Sequence, residues 1–243
     1  MEEEQKAAFP ATVWTVIRFA KDRECDEYCT AMNDLITGYW RPIFYFLRVR
    51  GYQIHQAEDL TQEFFLNLME RDWIRRADPA RGKFRTFLLT ILVRFLSDRG
   101  PNRAPKQRKF DERLISVSTL LKEQERDFEP PTNETPETIF MKQWAISTIE
   151  TVQRKLADWC RDCNRTDWHQ VFQANHFQSP GTPTISQTAL AEQMGISRDQ
   201  VRYALEQTNQ RFVELLRAEI ADQVDFGVDI NEELRELEDL LQV

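Results

Sequence analysis

The sequence predicts an all-α protein of two helical domains joined by a proline-rich linker. Three observations carry that expectation. Apolar residues recur at three- and four-residue spacings through most of the chain, with no alternating strand pattern. Glycine numbers only 7 of 243 residues, well under the usual share of about 7%, which is too few for a β-rich architecture of tight turns. Five of the ten prolines, Pro101, Pro105, Pro130, Pro131 and Pro136, fall in one short stretch. A hydrophobic share of 41% is enough to build a core, and 243 residues suit one or two domains.

Taken in order, Val13, Trp14 and Ile17 suggest a first helix. Leu35, Tyr39 and Trp40 suggest a second, and residues 43–47 a third that starts after Pro42. Ala57, Leu60, Phe64 and Leu68 form the apolar stripe of the next helix. Phe84, Phe87, Leu88, Ile91, Leu92, Phe95 and Leu96 form a wider stripe on the one after it. Residues 128–136 have the composition of a linker. They end in a helix start, with Thr135 as N-cap, Pro136 at the first helical position and Glu137 behind it. Residues 179–183 mark a second break. The predicted organisation is a first domain over 8–110, a linker over 111–135, a second domain over 136–223 and an acidic amphipathic tail over 224–243.

Charge is polarised along this plan. The net charge of −8 hides a segment, residues 71–110, with 12 basic and 3 acidic residues. From Asp222 onward the chain holds eight acidic residues and one arginine. A concentrated basic segment marks a polyanion partner, against the plainer reading of a solvated charged face. In the tail, Ile230, Leu234, Leu237 and Leu241 share one helical face. A helix this short is marginal alone and needs a surface to dock on. Docking on the second domain, over Arg198 and Arg202 or away from them, is the expectation, with contact to a partner as the other reading.

Residues 187–205 have the spacing of a helix-turn-helix. Ala191 is small where two helices meet, and Gly195 supplies a left-handed turn. Ser197 caps the second helix and Gln200 completes a capping box. Val201 and Leu205 face Leu190 and Met194. Thr184 and Gln187 form a candidate capping box upstream. Such a unit offers the start of its second helix to the major groove. The candidate DNA-binding residues are therefore Ser197, Arg198, Asp199, Gln200, Arg202 and Tyr203. Arginine and glutamine can pair with guanine and adenine edges. The plainer alternative is a helical hairpin with a glycine turn.

Other classes find less support. There is no nucleophile elbow, phosphate loop, dinucleotide fingerprint or paired-carboxylate motif, so no catalytic residue, cofactor or small-molecule substrate is expected and the protein is not predicted to be an enzyme. Cys160 and Cys163, with His169 and His176, match no familiar zinc spacing, and Cys25 and Cys29 share a helix face, so no metal is expected and the four thiols are predicted to be free. Trp144, Trp159 and Trp168 are predicted core residues. No apolar run approaches a membrane span, and the acidic start, Met1 to Glu4, is unlike a targeting peptide. A cytoplasmic location without membrane partners is the expectation.

The motifs converge on one resemblance. Residues 57–70, with Asp59, Leu60, Thr61, Gln62 and Glu63 at their core, resemble region 2.2 of sigma-70 family transcription initiation factors. Residues 83–98 resemble region 2.3 and the start of region 2.4. The helix-turn-helix, continued to Arg217, resembles region 4. Order and spacing are similar to the two-domain extracytoplasmic-function (ECF) group. The resemblance implies a polymerase-binding face of Asp59, Gln62, Glu63 and Asn67. It also implies contact with the promoter minus-ten region by Lys83, Arg85, Arg94, Arg99, Arg103 and Lys106, whose charges neutralise phosphate. Arg94 stands where many ECF members carry Asn, and Gly100-Pro101 interrupts the basic helix. The implied partners are core RNA polymerase and promoter DNA, with an anti-sigma factor as a further one. The competing readings are a helix-turn-helix regulator acting without polymerase and a sigma-like helical adaptor.

Overall fold

A computed structural model describes residues 13–99, 113–121, 131, 133–177, 185–221 and 229–241. Every regular element among them is helical, as the periodicity requires. The chain divides into two compact units. One comprises Met1–Ser147 with Ile220–Val243, and the other comprises Thr148–Glu219.

The first unit contains α1 (Val13–Ala20), α2 (Tyr28–Val49), α3 (Ile54–Glu70), α4 (Phe84–Arg99), the single turn α5 (Val117–Leu120), the start of α6 (Pro136–Asp162) and α10 (Ile230–Leu241). Its core is aromatic. Phe44, Phe46, Phe64, Phe65, Phe84 and Phe140 are fully buried beside Ile17, Met32, Ile36 and Leu68. Burying each such side chain contributes about 1.5–3 kcal/mol. Tyr39 meets Phe84, and Phe64 meets Phe95, edge to face at centroid separations of 5.4 and 5.8 Å, the arrangement that ring quadrupoles favour. The predicted stripes on α3 and α4 are the faces that supply this core.

Two local expectations give way here. The helices predicted on either side of Pro42 are one helix, and Pro42 lies inside it. An interior proline costs about 3 kcal/mol through a lost hydrogen bond and a clash with the carbonyl four residues back. Tyr39, Trp40, Ile43, Phe44, Tyr45, Phe46 and Leu47 are all buried around it, and their packing outweighs that cost. The predicted linker is also not a free spacer throughout. Leu114, Val117 and Leu121 are buried. Asn33 of α2 clamps the segment, donating from Nδ2 to the Arg113 carbonyl at 3.1 Å and accepting from the Ile115 N–H at 2.8 Å. The predicted start of α6 holds: the Thr138 N–H donates to Thr135 Oγ1 at 3.1 Å, and Pro136 is the first helical residue.

The second unit comprises the rest of α6, α7 (Thr166–His176), α8 (Gln187–Met194) and α9 (Arg198–Ala221) as far as Glu219. Val171, Leu190, Ala191, Val201, Ala204 and Leu205 form one buried cluster, with Met194 and Ile196 packed against it. Leu156, Cys160 and Phe172 form another. Both unit boundaries fall within helices, α6 and α9, rather than in the predicted linker. The tail helix α10 belongs to the first unit, not to the second where docking was expected.

Candidate nucleic-acid interface

The first candidate surface is built on α3 and α4. Asp59 is exposed on α3, and Gln62 is half-buried. The other two members of the predicted polymerase face are not open. Glu63 forms an ion pair with Arg99, at the end of α4, and both side chains are about nine-tenths buried. Asn67 is buried, with Nδ2 donating to the Glu63 carbonyl at 2.7 Å. Asn67 lies on the flank of the Phe64/Leu68 stripe, so the packing of α3 takes it inside.

The predicted minus-ten cations divide in the same way. Arg94 is exposed. Arg99 is held by Glu63. Arg103 and Lys106 lie outside the described residues. Lys83 and Arg85 meet the tail. Arg85 is 2% exposed and donates from Nη2 to Glu233 Oε2 at 2.6 Å and to Glu236 Oε2 at 3.1 Å. Lys83 forms ion pairs with the same two glutamates. The Arg85 guanidinium also lies over the Trp144 ring, 4.0 Å from its centroid, within cation–π range. Burial pushes the Glu236 carboxyl up. Hydrogen bonds from Lys83 and Arg85, and their charges, outweigh that and hold it below the ordinary carboxylate range. Trp144 is the core residue the sequence predicts, at 2% exposure. Its second role as a lid over Arg85 was invisible in the sequence, because the two residues lie on helices far apart in the chain.

The second candidate surface lies on α8 and α9. Gly195 ends α8 at φ 66°. The Ile196 N–H returns to the Ala191 carbonyl at 3.1 Å and the Gly195 N–H to the Glu192 carbonyl at 3.3 Å. This is the double-bonded helix stop that needs a residue tolerant of the left-handed region. The predicted capping box is formed: the Gln200 N–H donates to Ser197 Oγ at 3.2 Å, and the Ser197 N–H donates to Gln200 Oε1 at 2.7 Å. Thr184, proposed for the upstream box, lies outside the described residues. Ser186 caps α8, accepting from the Ala189 N–H at 3.2 Å. Val201, Ala204 and Leu205 face inward, so Ser197, Arg198, Asp199, Gln200, Arg202 and Tyr203 are all exposed. Tyr203 lies edge-on against Trp168 at 5.6 Å, with 53% of its surface open.

The thiols do not assemble a metal centre. All four cysteines are free, with Cys160 buried and Cys163 exposed. Burial pushes the Cys160 thiol up to about 11, with the neighbouring Cys163 and Asp167 adding to the shift. No group of three or more His, Cys, Asp or Glu side chains converges among the described residues. No helix among them is long and apolar enough to cross a membrane.

Residues 35–99, from the middle of α2 to the end of α4, match the family model of sigma-70 region 2. Over that segment the chain is similar to sigma-70 region 2. The match covers about a quarter of the 243 residues and takes in α3, α4 and the ion pair between Glu63 and Arg99. No curated protein and no solved structure matches the chain. The match supports a sigma-factor role in transcription initiation.

Proposed function

We propose that the protein is an ECF-type sigma factor. In this reading it binds core RNA polymerase through the region 2 domain, directs it to a promoter, assists melting of the minus-ten region and acts in the cytoplasm. The observation that carries the reading is the region 2 match on 35–99, followed in the same chain by a capped, glycine-turned helix pair with an open polar surface. That pair acts as a region 4-like helix-turn-helix. Arg198, Gln200 and Arg202 supply contacts to base edges or phosphate, and Tyr203 supplies apolar contact. In the region 2 domain, Asp59 and Gln62 are the polymerase-facing residues. Arg94 is the open cation on α4, while Lys83 and Arg85 contact DNA only when released from the tail. Glu63 and Asn67 act by shaping α3 rather than by touching polymerase. An anti-sigma factor would complete the set of partners.

The test is association with core polymerase. Purified chain mixed with core RNA polymerase should co-elute as a complex on gel filtration. Asp59→Arg should weaken that complex at unchanged helicity by circular dichroism, because Asp59 is exposed and no packing depends on it. Duplex binding by the chain alone, with no complex, would instead make it a regulator independent of polymerase.

A further inference from the structure

The tail helix α10 lies on the cations that the region 2 reading assigns to promoter DNA. Its docking surface is mostly electrostatic. Glu233 is 2% exposed and is held between Lys83 and Arg85, with Glu236 bridging the same two cations from a half-open position. Leu237 is the buried apolar anchor. Ile230 and Leu234 are half-buried, and Leu241 is 42% exposed. The predicted apolar face of Ile230, Leu234, Leu237 and Leu241 is therefore only partly used. A twelve-residue helix is marginal by itself, and one fully buried apolar side chain adds little to hold it. The pairing is also imperfect: the Arg85 Nε–H finds no acceptor among the described residues, and an unsatisfied buried donor weakens the arrangement.

Two carboxylates spaced one helical turn apart, on a lysine and an arginine, present the same chemistry as two backbone phosphates. Each is a compact anionic acceptor that takes charge-assisted hydrogen bonds from the same donors. Arg85 is 2% exposed beneath the tail carboxylates, so phosphate reaches it only when they leave. We propose that α10 is an intramolecular acidic cover that competes with single-stranded DNA phosphate for Lys83 and Arg85, and that region 2 binds DNA fully only after α10 leaves. The proposal rests on the region 2 reading above. It replaces the expectation that the tail guards Arg198 and Arg202 of the second unit. Competition of this kind reduces apparent affinity by the fraction of molecules with the site open. Arg94, outside the tail contact, gives incoming DNA a first foothold.

The test uses the full-length protein and a short fluorescein-labelled single-stranded DNA oligonucleotide. Glu233→Gln/Glu236→Gln removes the charge of the cover and keeps its shape. If the open state of the wild type is about a tenth populated, the variant should bind about tenfold tighter at low salt. In a second measurement on unmodified protein, hydrogen exchange of the amides in 230–241 should accelerate when the oligonucleotide saturates it. Equal affinity of wild type and variant, with α10 amides equally protected in the complex, would overturn the cover and leave region 2 DNA binding intact. Failure of both proteins to bind the oligonucleotide at any salt would overturn the cover and the DNA-binding reading of Lys83 and Arg85 together.

Discussion

The two candidate surfaces are both rich in charge, yet they hold that charge differently. On the first unit, Glu63, Arg99, Lys83 and Arg85 are ion-paired with one another or with the chain's own tail, and most are largely buried. On the second, Arg198, Asp199, Gln200, Arg202 and Tyr203 stand in solvent. An ion pair there, Arg202 to Asp199 at 3.4 Å, is between side chains 72% and 87% exposed, a class worth about 0–1 kcal/mol. A basic run in a sequence therefore says that anions will be bound, but not whose anions. In the first unit the structure supplies them internally, so its charges carry stability. In the second they are available to a partner at no structural cost.

Substitutions should separate the two surfaces sharply. The largest effect is expected at Arg85. Arg85→Ala leaves Glu233 buried with Lys83 as its remaining cation and should destabilise the first unit by about 3 kcal/mol in urea unfolding. Pairing it with Glu233→Leu should recover much of that loss, since an apolar pair removes the stranded charge. A smaller loss is expected at the turn of the second unit. A Cβ at Gly195 meets nothing within 4 Å, but φ is 66°, so Gly195→Ala should cost about 1–2 kcal/mol from backbone alone. Ser197→Ala should cost about 1 kcal/mol by removing the cap on the Gln200 N–H.

The smallest stability effect belongs to Arg202. Arg202→Ala should shift unfolding by less than about 0.5 kcal/mol. In duplex binding it should cost about 1–3 kcal/mol if Arg202 reads a base edge, or lower the salt slope by about one if it touches phosphate. A large stability loss at Arg202, or none at Arg85, would erase the distinction between the surfaces. Acid should sharpen it. The Glu236 carboxyl is held low in the folded chain, so its hold on Lys83 and Arg85 is complete above the ordinary glutamate value of about 4.3. That hold fades as pH falls through the lowered value. Exchange of α10 amides should rise in that window, while α8 and α9 amides stay protected.

What the sequence made legible follows the range of the forces involved. Apolar stripes on α3 and α4, the Thr135 and Pro136 start of α6, the Gly195 stop and the Ser197–Gln200 box all depend on residues within a turn or two of one another. Local spacing therefore predicts each of them. Pro42 misled because local chemistry argues for a break, while the buried residues around it are supplied by the whole first unit. The pairs Arg99–Glu63 and Arg85–Glu233 lie 36 and 148 residues apart. No periodicity encodes such a pairing. Charge balance hints at one, with a basic segment and an acidic tail in the same chain, but composition does not say on which unit the tail packs. Asn67 misled for a related reason, since a polar residue beside an apolar stripe is solvated or buried according to what packs on its flank.

In the proposed role this chain would turn core RNA polymerase into a promoter-selective enzyme. The most direct measurement is run-off transcription with purified core polymerase on fragmented genomic DNA, followed by sequencing of the RNA 5′ ends. A sigma factor should give discrete start sites that appear only when the protein is added, share upstream sequence elements, and weaken with Asp59→Arg. Start sites identical with and without the protein would contradict it.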